Sequence, residues 1–395
     1  MKYSISLFVI FLLGTTVFSQ SETEVYLFDL ETADGKIQLA NPKNISNNKG
    51  YDNQPSFLDD RTVLFSSTRA SQTDVLQFNI EDGSSKKWLT DTATGSEYSP
   101  LKIPGKNAIS AIRLDLDGLQ RLYSYSLKNG KSKVLLEGLK VGYHLWYDKN
   151  TIVCTVLKEN QMDLVVANLE DGSTHTMQKN VGRSLHKIPN SNLVSYISKE
   201  DERWQIKSLD PLSGSTQKIF NTYGNTEDMC WLKDGTLLAG ADKAIVMVDP
   251  DKDEWWQQLM FFPQEEIHGI SRIAVNSTGT RLVFVAEASP RAIVQQQLDA
   301  YNNRDIEGFL STYSDDVELF NHPNKPIGKG KTKMREMYEG FFANTPDLNC
   351  EIKNRIVLGN RVIDEEFLTI NGQNYSAVAI YEVKNGKIAK VTFIQ

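Results

Sequence analysis

The sequence predicts a multidomain chain, an all-β six-bladed propeller followed by an α+β cone in which helices cover a curved antiparallel sheet. Three observations lead there. Tight turns at residues 60, 105, 149, 191, 234 and 278 recur at intervals of 45, 44, 42, 43 and 44. A period of that size with four strands per unit signals propeller blades. The first and last repeats are each half a unit, and at Ser289-Pro290 the strand rhythm gives way to apolar residues at three- and four-residue steps, as one face of a helix requires.

The N-terminus reads MKYSISLFVIFLLGTTVFSQ, a positive start at Lys2 and an apolar run from Ile5 to Leu13. This is the layout of a secretory signal, and the run is too short to span a bilayer. Residues 1–19 are therefore expected to be a signal peptide cleaved near Ser19/Gln20, with a periplasmic or secreted product and no membrane span. The 395 residues carry 43 basic and 50 acidic side chains, a net charge of −7, which excludes a general nucleic-acid binder. Cys154, Cys230 and Cys350 share no close spacing, so they form no zinc knuckle and at most one disulfide.

From residue 20 to 288 the blades follow in order. The clearest unit runs from Asn53 to Thr90, and strands rich in β-branched and aromatic residues (TVLFSS, TIVCTV, NLVSYIS, RLVFVAE) flank the turns. The last repeat stops after its second strand, RLVFVAEA, whereas EVYLFDLETADGKIQLA near the start reads as third and fourth strands. Two half blades make a sixth, and their pairing closes the ring and removes its open edges. The unit with PSF, a turn, LFSSTR, NIEDG and a final LT resembles the blades of TolB-like propellers. That resemblance implies a periplasmic protein that binds a protein or peptide partner. The segments entering each first strand bring Asp52, Glu97, His144, Arg183, Glu227 and His268 to repeating positions, which are expected to ring one mouth of the central channel.

From 289 to 395, Ser289 and Pro290 suit a helix start, and Ile293, Val294, Gln297, Leu298 and Tyr301 line one face of the helix. Further helices fit IEGFLSTY, which ends at Tyr313, and KMREMYEGFFAN. Strands follow, with hairpin turns at Asn371-Gly372 and Asn385-Gly386. The stretch QQQLDAYNNRDIEGFLSTYSDDVELF, together with IVLGNRVIDEE and AIYEVKNGKIAKVTFIQ, is similar to the SnoaL-like branch of the nuclear transport factor 2 superfold. The resemblance implies a pocket between sheet and helices, used by relatives as isomerases, cyclases or dehydratases, or only for binding or homodimerisation.

Steroid isomerases of this fold need a carboxylate base, a tyrosine and a protonated aspartate. Matching the DIEG…YSDD stretch puts Gln297 at the tyrosine position and Asn321 at the base position, with Ala379 or Tyr381 at the third. An amide cannot take a carbon-bound proton, so the inner wall is expected to lack the usual proton-shuttling groups. Tyr301, Tyr313, Tyr375, Ala379, Tyr381, Asn321 and Glu366 are the candidates for lining a pocket for a small apolar ligand. His322 is the side chain there that titrates near neutrality. It is read as an acid/base with Asp364 or Glu366 as partner, as a lining residue, or as a surface residue, since alternation that turns Asn321 inward turns His322 outward.

Weaker motifs carry less. GKGKT lacks the first glycine of a phosphate loop, because Lys325 stands there, and Lys325–Arg335 reads as a solvated loop leading into a helix. The acidic run from Asp249 to Glu254 lacks the glycine and glutamate of a calcium loop. GxSxG and HExxH do not occur. No cofactor and no metal are expected.

Overall fold

The computed structural model describes residues 22–33, 36–48, 50–70, 72–263, 267–287, 289–384 and 386–394. The signal segment and Asn385 lie outside the described residues.

Among the described residues six four-stranded antiparallel sheets form the propeller. Each blade runs from an inner strand outward, the inner ones being Asp52–Asp59, Gly95–Lys102, Val141–Trp146, Val181–Lys187, Met229–Trp231 and Ser271–Val275. The sixth blade is composite. Strand Thr23–Ala33 pairs with Arg281–Glu287, Thr23 opposite Glu287 through Asp29 opposite Arg281, so the two ends of the propeller latch the ring. Alternation decides which side chains fill the interfaces between blades: Val25, Phe65 and Val285 meet in one cluster, and Phe28, Leu238 and Phe284 in the next. Phe28 and Phe284 stack at 5.1 Å. A tryptophan device recurs in two blades, with Trp146 Nε1 donating to Ser110 Oγ and Trp231 Nε1 to Ser195 Oγ, both at 2.8 Å. The indole N–H must find a partner when buried.

The C-terminal part holds three helices, α1 (Pro290–Asn302), α2 (Ile306–Ser311) and α3 (Gly330–Asn344), on a six-stranded sheet. Ser289 stands at the N-cap of α1, but its hydroxyl makes no capping bond; its carbonyl accepts the Ile293 N–H instead. Asp305 does cap α2, accepting from the Gly308 N–H at 3.0 Å. Three expectations are corrected. Tyr313 begins a strand, Tyr313–Asn321, rather than ending a helix, because α2 stops at Ser311. The sheet is not purely antiparallel: that strand lies parallel to the last one, Lys387–Ile394, which slots between it and Gln373–Lys384. Lys325–Lys329 is a short edge strand paired with Glu318–Asn321, not a loop. The hairpin at Asn371-Gly372 forms with φ of 51° and 75°, the left-handed pair that such turns require. The acidic run from Asp249 to Glu254 is a turn between Ala244–Val248 and Gln257–Phe261. All three cysteines are free and buried. Among the described residues no helix is long and apolar enough to cross a membrane.

Candidate functional site

The cone encloses a cavity of about 390 Å³, a size suited to a small organic molecule. Four elements bring its polar groups together. Helix α1 supplies Gln297 and Tyr301; the strand Tyr313–Asn321 supplies both of its ends; Arg361–Ile370 and Gln373–Lys384 supply Glu366 and Tyr381. Period two sets the inward face, so Asp364 and Glu366 point in, as do Ala379 and Ala377 opposite them and Tyr381 two residues further along its strand. Ala377 opposite Glu366 leaves room where a larger side chain would fill the cup.

Glu366 is the chemically distinctive group. It is 7% exposed, and its Oε1 accepts a hydrogen bond from the Tyr381 hydroxyl at 2.9 Å. Burial pushes its pKa up to about 7, and the Tyr381 bond only partly opposes that. Asp364, two residues earlier, is neutralised by a two-point ion pair, with Arg355 Nε and Nη2 at 2.7 and 2.6 Å. Arg355 Nη1 also donates to Gln295 on α1 at 2.7 Å, tying helix to sheet. The hydroxyl of Tyr313 is hydrogen-bonded to the Gln297 side chain, and burial holds its pKa far above the ordinary value. Burial likewise raises Tyr301 and pushes Tyr338 up to about 12. These phenols stay protonated near neutrality and so keep a proton to donate.

The cavity therefore joins Gln297, Tyr301, Tyr313, Asn321, Glu366 and Tyr381. Three predicted residues fall elsewhere. Tyr375 is 49% exposed, because just past the hairpin turn the strand projects beyond the helical cover, and its hydroxyl donates to Gln373. Ala379 is fully buried in the cone's core, packed behind the cavity. His322 is exposed on the turn after its strand, as alternation with the inward Asn321 dictates, with its backbone N–H on the Phe393 carbonyl. It meets neither Asp364 nor Glu366, so the acid/base reading of His322 is corrected. The wall does keep a buried titratable carboxyl, that of Glu366. Tyr338, on α3, is a lining residue that sequence reasoning passed over; its place among Met334, Met337 and Phe341 marked it only as core.

The propeller's channel is a second cavity, of about 520 Å³, to which the inner edges of all six blades contribute. Of the six residues expected at its mouth, only His144 and Arg183 line it. Asp52 is buried beside Ser67 and Asn48, and Glu97 is wedged between blades, bonded to Asp74 and to the Tyr125 hydroxyl at 2.8 Å. Glu227 faces a neighbouring cleft, 3.5 Å from Arg183, and His268 sits 3.8 Å from Glu287. The residues that do face the channel include Tyr143, His186, Asp228 and Arg272. Asp228 differs from the predicted Glu227 by one position, and one residue changes the side of a strand. Among the described residues no group of three or more His, Cys, Asp or Glu side chains is placed to hold a metal ion.

Residues 294–391 match the model of the SnoaL-like domain. A putative TolB from Agrobacterium tumefaciens is 13% identical, superposing on 68% of this chain and 99% of its own with a TM-score of 0.52. A cystatin-fold protein from Novosphingobium aromaticivorans is 25% identical over 27% of this chain and 98% of its own, TM-score 0.26. A putative ketosteroid isomerase from Kribbella flavida is 22% identical over 27% and 76%, TM-score 0.23. No curated protein sequence matches the chain. The chain thus joins a propeller of TolB-like fold to a SnoaL-like domain.

Proposed function

We propose that this is an exported protein whose SnoaL-like cup binds a small, largely apolar carbonyl compound and moves a proton on it, with Glu366 as the base. The buried Glu366 carboxyl held by Tyr381 carries this reading. A general base works best when its pKa lies near the working pH, and about 7 meets that condition. In the step proposed, a C–H proton next to the carbonyl passes to the Glu366 carboxylate. The electron pair moves to the carbonyl oxygen, which accepts hydrogen bonds from phenol donors such as Tyr301 or Tyr338. With a β,γ-unsaturated ketone, returning the proton to the γ-carbon completes an isomerisation; with a β-hydroxy ketone, the C–O bond breaks and the proton held by Glu366 passes to the departing hydroxyl, which leaves as water. Asp364 is spent on Arg355 and keeps the strand in place. Export is supported by the leader-like N-terminal sequence.

The test is hydrogen–deuterium exchange of a panel of small cyclic ketones in D₂O, followed by NMR. The protein accelerates exchange of at least one ketone over buffer, and Glu366→Gln lowers that rate by about 10²–10⁴-fold. If no ketone exchanges faster than in buffer, proton transfer falls and a plain binding cup is left.

A second role concerns the sheet's outer face. Ile356, Ile363 and Ile380 stand side by side across three strands there, with Ile394 on the same face, and Ile356 is 60% exposed. We propose that this apolar row pairs with its own copy in a homodimer, since a twofold contact needs one self-complementary patch.

A further inference from the structure

Six aromatic side chains line the cup of the cone: Tyr301, Tyr313, Tyr338, Phe341, Tyr381 and Phe393. Three of them make one wall across α1 and α3. The ring centroids of Tyr301, Tyr338 and Phe341 stand 6.4 Å apart in every pair, at angles of 73°, 39° and 80°. Two buried rings back them, Phe342 at 5.5 Å from Tyr301 and Phe309 at 4.7 Å from Tyr338. The wall is thus set before a ligand arrives, which lowers the ordering cost of binding. An aromatic ring presents a negative face, and that face attracts a cation.

Among the described residues that line the cavity, Glu366 is the one acid, and none is a lysine, arginine or histidine. Its Oε1 accepts from the Tyr381 hydroxyl, and among the described residues its Oε2 has no hydrogen-bond partner. The charges beside it oppose one another, since Arg355 favours the Glu366 carboxylate while Asp364, paired with that same Arg355, disfavours it. The carboxylate is left with no counter-charge of its own, and a buried charge needs one. Its field reaches the aromatic wall, where it adds to the burial that raises the Tyr301 and Tyr338 hydroxyls.

A metal ion does not suit that place. It asks for several ligands at once, and among the described residues no three His, Cys, Asp or Glu side chains are grouped to supply them. An organic ammonium asks for less: an acceptor for each N–H, and aromatic faces for its alkyl groups. A tertiary ammonium has a single N–H, which matches the single free oxygen of Glu366.

We propose that the cup takes a second class of ligand, a small tertiary amine bound as its ammonium, with the N–H on Glu366 Oε2 and the alkyl groups against Tyr301, Tyr338 and Phe341. The proposal rests on the same cup and the same buried carboxyl as the proton transfer above, and on no step of that transfer. Calorimetry on the mature full-length protein at pH 7 compares N-methylpiperidine, a cation at that pH, with cyclohexanol and cyclohexanecarboxylate, which are similar in size. N-methylpiperidine is expected to bind about tenfold or more tightly than either, and Glu366→Gln to abolish that preference. In wild-type protein, saturating N-methylpiperidine is expected to lower the ¹³C-carboxyl titration midpoint of Glu366 by about one pH unit or more, because the ammonium favours the carboxylate. This readout needs no variant. An amine that binds no better than cyclohexanol, that keeps its preference in Glu366→Gln, or that leaves the midpoint unmoved overturns the proposal. Ketone exchange without amine binding removes this proposal alone, and amine binding without ketone exchange removes the proton transfer alone.

Discussion

Asp52, Glu97 and Glu366 share one physical condition: each carboxyl is buried, and burial pushes each up to about 7. Folding then takes up protons wherever the pH lies between the unfolded and folded values. Stability falls as pH rises from about 4 toward 7, and above the folded value the loss is complete. Two histidines act in the opposite sense. Burial lowers His144 to about 3 and His186 to about 4, so their contribution is lost as pH falls below about 6.5. Replacing Asp52 and Glu97 with Asn and Gln keeps the shape of the protonated forms. Thermal melts of Asp52→Asn/Glu97→Gln against wild type are expected to diverge from pH 4.5 to 8, the variant gaining several kcal/mol at the alkaline end. Parallel curves would contradict the burial account.

At the scale of elements, ring closure depends on the strand Thr23–Ala33, and Phe28 is its anchor, stacked on Phe284 and packed 5.5 Å from Phe262. Phe28→Ala is expected to cost about 3–5 kcal/mol, read as a lower urea midpoint; a change under about 1 kcal/mol would mean that the latch bears little of the stability. This closure was legible in the sequence, because half a repeat at each end leaves only one way to hide the edges. The turns were legible for a similar reason, as Gly105, Gly235 and Gly279 all take positive φ at them. The bends of the inner strands, where register shifts interrupt the pairing, were not. Gln54, Ser99 and Arg272 take positive φ there but carry no sign of a left-handed backbone, and each shift exchanges channel-facing and blade-facing positions. At the blade of Met229–Trp231, repeat position alone picked Glu227, although the next residue, Asp228, is the one that faces the channel. In the cone, the pattern showed that Asn321 and Tyr381 point inward, but it could not show that Tyr381 bonds to Glu366, because that contact joins neighbouring strands at a register fixed only by the fold.

For the whole molecule, the two parts meet where Lys387 Nζ reaches Glu22 Oε1 at 3.1 Å and the Ser311 carbonyl at 3.0 Å. The cone's outer sheet face remains open on the other side of its strands, and the homodimer proposed there is tested by light scattering. Wild type is expected at twice the chain mass and Ile356→Glu at the chain mass, whereas a monomeric wild type would remove the dimer. The joint reading, a scaffold ring bearing a cup with one poised acid, stands or falls on Glu366. The direct measurement is a ¹³C-carboxyl NMR titration of Glu366 in the full-length protein, beside Tyr381→Phe. A midpoint near 7 that rises further in Tyr381→Phe, where the bond that favours the carboxylate is gone, is the predicted result. A midpoint at the ordinary 4.5, unmoved by the variant, would contradict it.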